Sequence, residues 1–214
     1  VILPNVRADI TNTITVLSPS SDGYAYAVST SSYSEAWAAT TATAIVDSGI
    51  GSLIMVGGQH YETDQYGEYY HVFRMFTFFD TSPIPDGATI NSVILSLYVE
   101  SDDSDTDFNV TVQSSTNYPH DPIQSVDYYK GWYSSSGGSR STSEISGPGY
   151  WNITFDSTGI GYVSKTGTTR LCLRSSRDIS GSAPSGFEYV EFKSRDSGEA
   201  YAPKLYVTYT VSEG

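Results

Sequence analysis

Positive charge is scarce in this chain. Lysine and arginine together number 11 against 24 aspartates and glutamates, which leaves a net charge of −13. No basic stripe exists to replace counterions on phosphates, so nucleic acid is excluded as a partner. Anionic lipid surfaces are disfavoured on the same ground. Cysteine is nearly absent: Cys172 stands alone, and one thiol builds no disulfide framework within a chain. It lies in the alternating run Arg170-Leu171-Cys172-Leu173-Arg174, where a small buried apolar role is expected. Nowhere do some eighteen apolar residues follow one another, so no membrane span is expected. Charged residues of both signs amount to 16%. Serine, threonine, glycine and 18 tyrosines carry the polar load instead, a composition that fits an extracellular or cell-surface address. The opening on Val1 rather than methionine fits an exported, processed protein.

What is present is β-structure. From Tyr69 to Val99, Val72, Arg74, Phe76 and Phe78 alternate with Phe73, Met75, Thr77 and Phe79. Pro83-Ile84-Pro85-Asp86-Gly87 breaks the run, and Val93, Leu95 and Leu97 then resume it on one face. Period-two alternation rich in aromatic and β-branched residues, punctuated by Pro and Gly, marks paired antiparallel strands. Further strands are expected at Tyr24–Val28, Ile50–Val56 (stopped by Gly57-Gly58), Phe108–Val112, Tyr150–Phe155, Thr169–Ser175, Phe187–Lys193 and Leu205–Val211. The stretch Tyr33–Ile45 reads as a short helix or a strand pair, and Asn117–Gly147 as a long loop with a short helix near Ser125–Trp132. Nine to eleven strands without an internal repeat or linker tract predict a single all-β domain, an antiparallel β-sandwich or jelly roll with an N-terminal extended strand.

The central block carries Arg74, Phe79, Asp80, Ser82, Ile84, Pro85, Gly87, Ile90 and Leu97-Tyr98-Val99. It is followed by Phe192-Lys193-Ser194-Arg195-Asp196 and the closing Ala202–Tyr209. In these residues the chain resembles the disaggregatase-related modules, also called DNRLRE domains. Asp196 departs from the glutamate usual in that segment. The resemblance spans roughly Thr13 to Thr210. It implies a β-sandwich or jelly roll of secreted and surface proteins in bacteria and archaea, some of whose relatives are thought to bind acidic polysaccharides. No single activity comes with such a fold. The resemblance divides the chain into an extension over 1–12 and a module over 13–214.

Candidate sites are few. His60, His71 and His120 lack Ser/His/Asp or His-x-x-x-His neighbours, and no carboxylate pair sits in a recognisable frame, so no catalysis is expected. The acidic loop Glu100–Asp107, with Asp102, Asp103, Asp105 and Asp107, offers oxygen ligands of the kind calcium takes, but lacks the EF-hand spacing and its glycine; a solvated acidic turn between strands is the favoured account. No other cofactor is expected. Two sequons, at Asn109 and Asn152, place an outward-facing asparagine on a strand, the exposure that glycosylation requires. Tyr24 and Tyr26, and above all Trp37, Tyr128, Tyr129, Trp132 and Tyr133, are candidates to stack on sugar rings; packing over the sandwich is their other use. Arg74, mid-strand among aromatics, is expected in a structural ion pair with Asp80.

Two functions remain open. Val6, Ala8 and Ile10 alternate with polar residues behind the apolar tip Val1-Ile2-Leu3. Such an arm can add a strand to a neighbour's open sheet edge, and a head-to-tail contact that does not close makes a fibre; the same residues can instead be the first strand of the chain's own sandwich. On the donor reading the chain is a non-catalytic filament subunit whose partners are copies of itself, with Val1, Ile2, Leu3, Val6, Ala8 and Ile10 as donor contacts. The alternative is a carbohydrate-binding or adhesin-like module that meets polysaccharide.

Overall fold

A computed structural model describes residues 9–47 and 53–212 of the chain. Twelve strands dominate the described residues: β1 (Ile10–Leu17), β2 (Gly23–Ser29), β3 (Ala44–Asp47), β4 (Ile54–Asp64), β5 (Gly67–Asp80), β6 (Thr89–Ser104), β7 (Asn109–Gln113), β8 (Ser139–Ser141), β9 (Gly149–Thr154), β10 (Thr168–Ser175), β11 (Phe187–Lys193) and β12 (Lys204–Val211). The helices are short: α1 (Tyr33–Ala38), α2 (Ser157–Ile160) and α3 (Ser176–Ser180). None is long and apolar enough to cross a membrane.

The strands form one antiparallel sheet that curls into a half-barrel, the all-β architecture that the alternating segments predict. The long β5 and β6 organise it. β5 pairs with β2 along one side and with β4 and then β10 along the other. β6 pairs with β12 and then β11 along one side and with β9 along the other. The Pro/Gly turn therefore does not close a hairpin: β5 and β6 pair with other strands and lie in different limbs of the curl. Asp80 stabilises the departure from β5 by accepting from the Ser82 amide and hydroxyl at 3.1 and 2.6 Å.

Two apolar clusters follow. The larger fills the curl, with Phe79, Leu95, Leu97, Val112, Ile153, Leu171, Leu173, Phe192 and Leu205 fully buried. The smaller lies on the other face of β5, where Val72, Phe76 and Phe78 meet Ala25, Ala27, Tyr128, Tyr133 and Cys172. α1 and the 3-10 turns Ser125–Tyr128 and Lys130–Trp132 cover it. β5 is thus buried on both faces along its second half, which accounts for its near-continuous apolar run. Cys172 is inside this second cluster, and burial pushes its thiol up to about 12, so it packs as a small apolar group.

Several local readings need correction. β4 runs straight through Gly57-Gly58 instead of stopping there. Gly58 has φ +130°, and a Cβ on it would stand 2.3 Å from the Glu188 carbonyl oxygen, so glycine is what lets β4 lie against β11. Tyr33–Ile45 contains both a helix and a strand, α1 and β3. β6 extends to Ser104, so Asp102 and Asp103 stand in a strand opposite Val190 and Tyr189 rather than in a loop. The Asn117–Gly147 segment also contributes β8.

At the N-terminal side, β1 is continuous across Asn12 and Thr13 and pairs with β12 of the same chain from Ile10↔Val211 to Leu17↔Lys204. Ile14 and Val16 pack on the larger core, while Ile10 is 46% exposed. Val1, Ile2, Leu3, Val6 and Ala8 lie outside the described residues.

Candidate functional site

The β4–β5 hairpin builds the arrangement with most chemical content. Its two-residue turn, Gln65-Tyr66, is clasped by Asp64, whose Oδ1 accepts from the Tyr66 and Gly67 amides at 2.7 and 3.1 Å. Gly67 supplies the positive φ, +143°. This turn sets the register: Asp64 faces Gly67, Glu62 faces Tyr69, and His60 faces His71. Because side chains alternate along a strand, His60, Glu62, Tyr69, His71 and Phe73 share one face. Glu62 lies diagonal to His71, within reach for a long side chain.

The imidazoles stack with centroids 4.2 Å apart and planes 20° from parallel. Glu62 Oε1 lies 3.4 Å from His71 Nε2 and 3.7 Å from His60 Nε2. Aromatic rings wall the pair: Phe73 and Tyr189 lie 5.7 Å from His60, Phe187 5.6 Å, and Tyr26 lies 6.3 Å from His71. Both ring nitrogens of His60, and Nε2 of His71, are buried without a hydrogen-bond partner. Burial holds both histidines below their ordinary value; His71 depresses His60 further, and Glu62 opposes the shift at each. Both rings are therefore neutral at pH 7, each with one ring nitrogen free of a proton. Among the described residues this is the one group of three His, Cys, Asp or Glu side chains whose ligand atoms all lie within 4.8 Å of one another.

On the opposite face of β5, two positions on from Val72, Arg74 is fully buried. Its Nε and Nη2 donate to Asp178 Oδ2 and Oδ1 at 2.9 and 2.8 Å. Nη1 donates to the Tyr128 carbonyl, Nη2 also reaches the Trp37 carbonyl at 3.2 Å, and the guanidinium lies 4.0 Å over the Tyr128 ring. Arg174 donates to the same carboxylate at 2.7 Å and to Gln113 Oε1 at 3.2 Å. Burial alone would raise the Asp178 carboxyl, but Arg74 and Arg174 hold it well below the usual range. Asp178, on α3, and not Asp80, is the partner of Arg74: Asp80 is exposed and turned to Ser82.

The other candidates are dispersed. Tyr128 and Tyr133 are buried, their hydroxyls donating to the carbonyls of Ala36 and Asp127, so neither offers a face to a sugar. Half-buried Trp37 donates to the Asp178 carbonyl and lies under the Lys130 ammonium. Trp132 stacks on Tyr118 at 4.2 Å, with the Tyr129 edge against it. These rings close the smaller core. The aromatic surface that does face outward is on the sheet: Tyr24, Tyr26, Tyr189 and Phe187 surround the buried Phe73 in a continuous set of ring contacts of 5.7 to 6.3 Å, with Phe187 46% exposed.

Asp102, Asp103, Asp105 and Asp107 spend oxygens on Ser104, Ser101, the Phe187 amide and Thr142 and do not converge on one point. Asn109 and Asn152 are both exposed, as strand alternation predicts. His120 is held by buried Asp127 at 2.7 Å. The histidine pair had a signal in the sequence: once the Gln65-Tyr66-Gly67 turn is recognised, residues pair symmetrically about it and His60 must meet His71. Taking Gly57-Gly58 as the strand's end concealed it. No protein-family model matches this chain, and no curated protein matches it.

Proposed function

We propose that this chain is a non-catalytic structural subunit of an extracellular filament, in which the segment ahead of β1 adds to an open sheet edge of the next copy. The observation that carries the reading is the position of β1. Among the described residues it is an edge strand with β12 as its one partner, and its first residue, Ile10, is 46% exposed. The residues before it continue the apolar–polar alternation in sequence, Val6 and Ala8 behind Val1-Ile2-Leu3. An edge to receive such a strand is offered on the same module by β8, which pairs only with β7 among the described residues. Backbone groups on an unpaired edge are a template for added strands, and a donor and an acceptor at different places give an open, head-to-tail chain of copies.

Negative-stain microscopy and light scattering on the full chain test this, at an ionic strength that screens the net charge of −13. Fibres of regular repeat that vanish on deleting Val1–Asp9, while the deleted form stays folded, support the reading. A monomer of 23.2 kDa, or fibres that persist after the deletion, overturns it.

A second reading, a carbohydrate-binding module, is favoured by the aromatic set around exposed Phe187. Rings on a sheet face stack on sugars through exposed π-faces. A glycan array would return a polysaccharide ligand whose binding falls at least tenfold in Phe187→Ala; no ligand, or an unaffected one, removes this reading.

A further inference from the structure

We propose that His60, Glu62 and His71 form a binding site for a divalent transition-metal ion of the zinc, nickel or copper class. Two imidazole nitrogens and one carboxylate oxygen are the donor set such ions take, whereas calcium and magnesium ask for oxygens throughout. The spacing fits. A tetrahedral ion with bonds of about 2.0–2.1 Å places its ligand atoms roughly 3.4 Å apart, and Glu62 Oε1 lies 3.4 and 3.7 Å from the two Nε2 atoms. The strongest support is the unpaired state of the nitrogens. Buried polar atoms almost always have partners, yet His60 Nδ1 and Nε2 and His71 Nε2 have none. An ion on Nε2 of each ring supplies what two of these three atoms lack.

The site is held by backbone. His60 and His71 are directly paired across a two-residue hairpin, so both donors are fixed by one turn, and Phe73, Phe187 and Tyr189 pack around them. The stacked rings lie 20° from parallel, so coordination requires a rotation of each about χ2 to make the lone pairs converge; no hydrogen bond at His60 opposes it. The Glu62 side chain is 48% exposed, so the remaining coordination position opens to water on that side. This site uses none of the residues on which assembly or sugar binding has been argued to depend, except that Tyr26, Phe73, Phe187 and Tyr189 border it.

The test uses untagged full-length protein and zinc or cobalt(II) as the probe. Calorimetry should give one ion per chain, cobalt(II) should develop the visible bands of a low-coordinate site, and calcium should not compete. Zinc should raise the melting temperature of the native protein, because an ion bound to the folded state alone stabilises it by mass action. Glu62→Gln should weaken binding at least tenfold and His71→Asn more, with the apo melting curve confirming that each variant folds. His120→Asn serves as the control and should bind as the native protein does. Absence of binding by the native protein, calcium competing as well as zinc, or binding unaffected by both Glu62→Gln and His71→Asn overturns the proposal.

Discussion

Arg74 and His71 stand three residues apart on one strand and face opposite sides of it, and the protein treats them in opposite ways. Arg74 is a charge with no solvent, and every direction around it is answered: a bidentate carboxylate, two carbonyls and an aromatic face. His71 and its partner His60 are only partly enclosed, yet their buried nitrogens are left without hydrogen bonds. A buried charge is tolerated when paired and hydrogen-bonded and is costly when it is not. The first arrangement therefore has the character of a structural fastening that ties α1, β5, β10, α3 and the 3-10 turns together. The second has the character of a site that is incomplete without something else. Satisfaction of polar groups, more than burial or charge, separates these two arrangements on β5, although Thr77 Oγ1 and Trp151 Nε1 are also buried without partners elsewhere in the interior.

The contrast can be broken most severely at Asp178. Asp178→Ala strips the counter-ion from two buried guanidinium groups, Arg74 and Arg174. It should cost about 3–5 kcal/mol of stability, read as a lowered denaturant midpoint; a loss under about 1 kcal/mol would show the pair to be dispensable.

Asp22 falls between the two extremes. It is buried and accepts from the Arg195 amide at 3.1 Å, but no guanidinium neutralises it at contact. Burial, opposed by that hydrogen bond and the one with Ser18, raises its carboxyl to about 7 from 3.8. The folded state then holds this proton more tightly than the unfolded chain. Its contribution to stability is complete below about pH 4 and disappears as the pH rises through about 7. Native protein should lose on the order of 4 kcal/mol across that window relative to Asp22→Asn, as pH-dependent melting would show. Parallel profiles for the two proteins would contradict the argument.

At the histidines the sign should reverse. With metal removed by chelator, His60→Phe deletes two unpaired buried nitrogens and keeps a ring against Phe73, Phe187 and Tyr189. Removing unsatisfied polar atoms is neutral to favourable, so stability should rise by about 1 kcal/mol or stay level. A loss beyond about 1 kcal/mol would mean that the nitrogens are satisfied after all. Smallest of all, Asp102→Ser, on the exposed end of β6, should shift stability by less than about 0.5 kcal/mol.

Much of the fold was legible from alternation. The strands β10, β11 and β12 begin and end within a residue of where the sequence places them, and β12 alternates along most of its length. What periodicity cannot convey is partnership. It presents β5 and β6 as neighbours, yet their pairings go elsewhere, because a strand buried on both faces carries no mark of which limb it joins. Asp178 is 104 residues from Arg74, on a one-turn helix that begins immediately where β10 ends, too short to have a periodicity of its own. Trp37, Tyr128 and Tyr133 have the composition of a sugar platform but lie under a covering loop, a distinction that depends on tertiary placement alone. The histidine pair was readable in principle, through the hairpin turn, and was hidden by glycines that lie within a strand.

The pairing of β1 with β12 has a mechanical meaning. Antiparallel register brings Ile10 beside Val211, so the two ends of the described chain leave the sheet at one corner. A load pulling those two ends apart meets the backbone bonds one pair at a time and peels the strands like a zipper. A load that runs along β1, from the N-terminal arm toward the body of the sheet, meets all eight pairs at once in shear. The same strand is weak in one direction and strong in the other, and a chain of such modules joined through their arms would carry tension along the strong one.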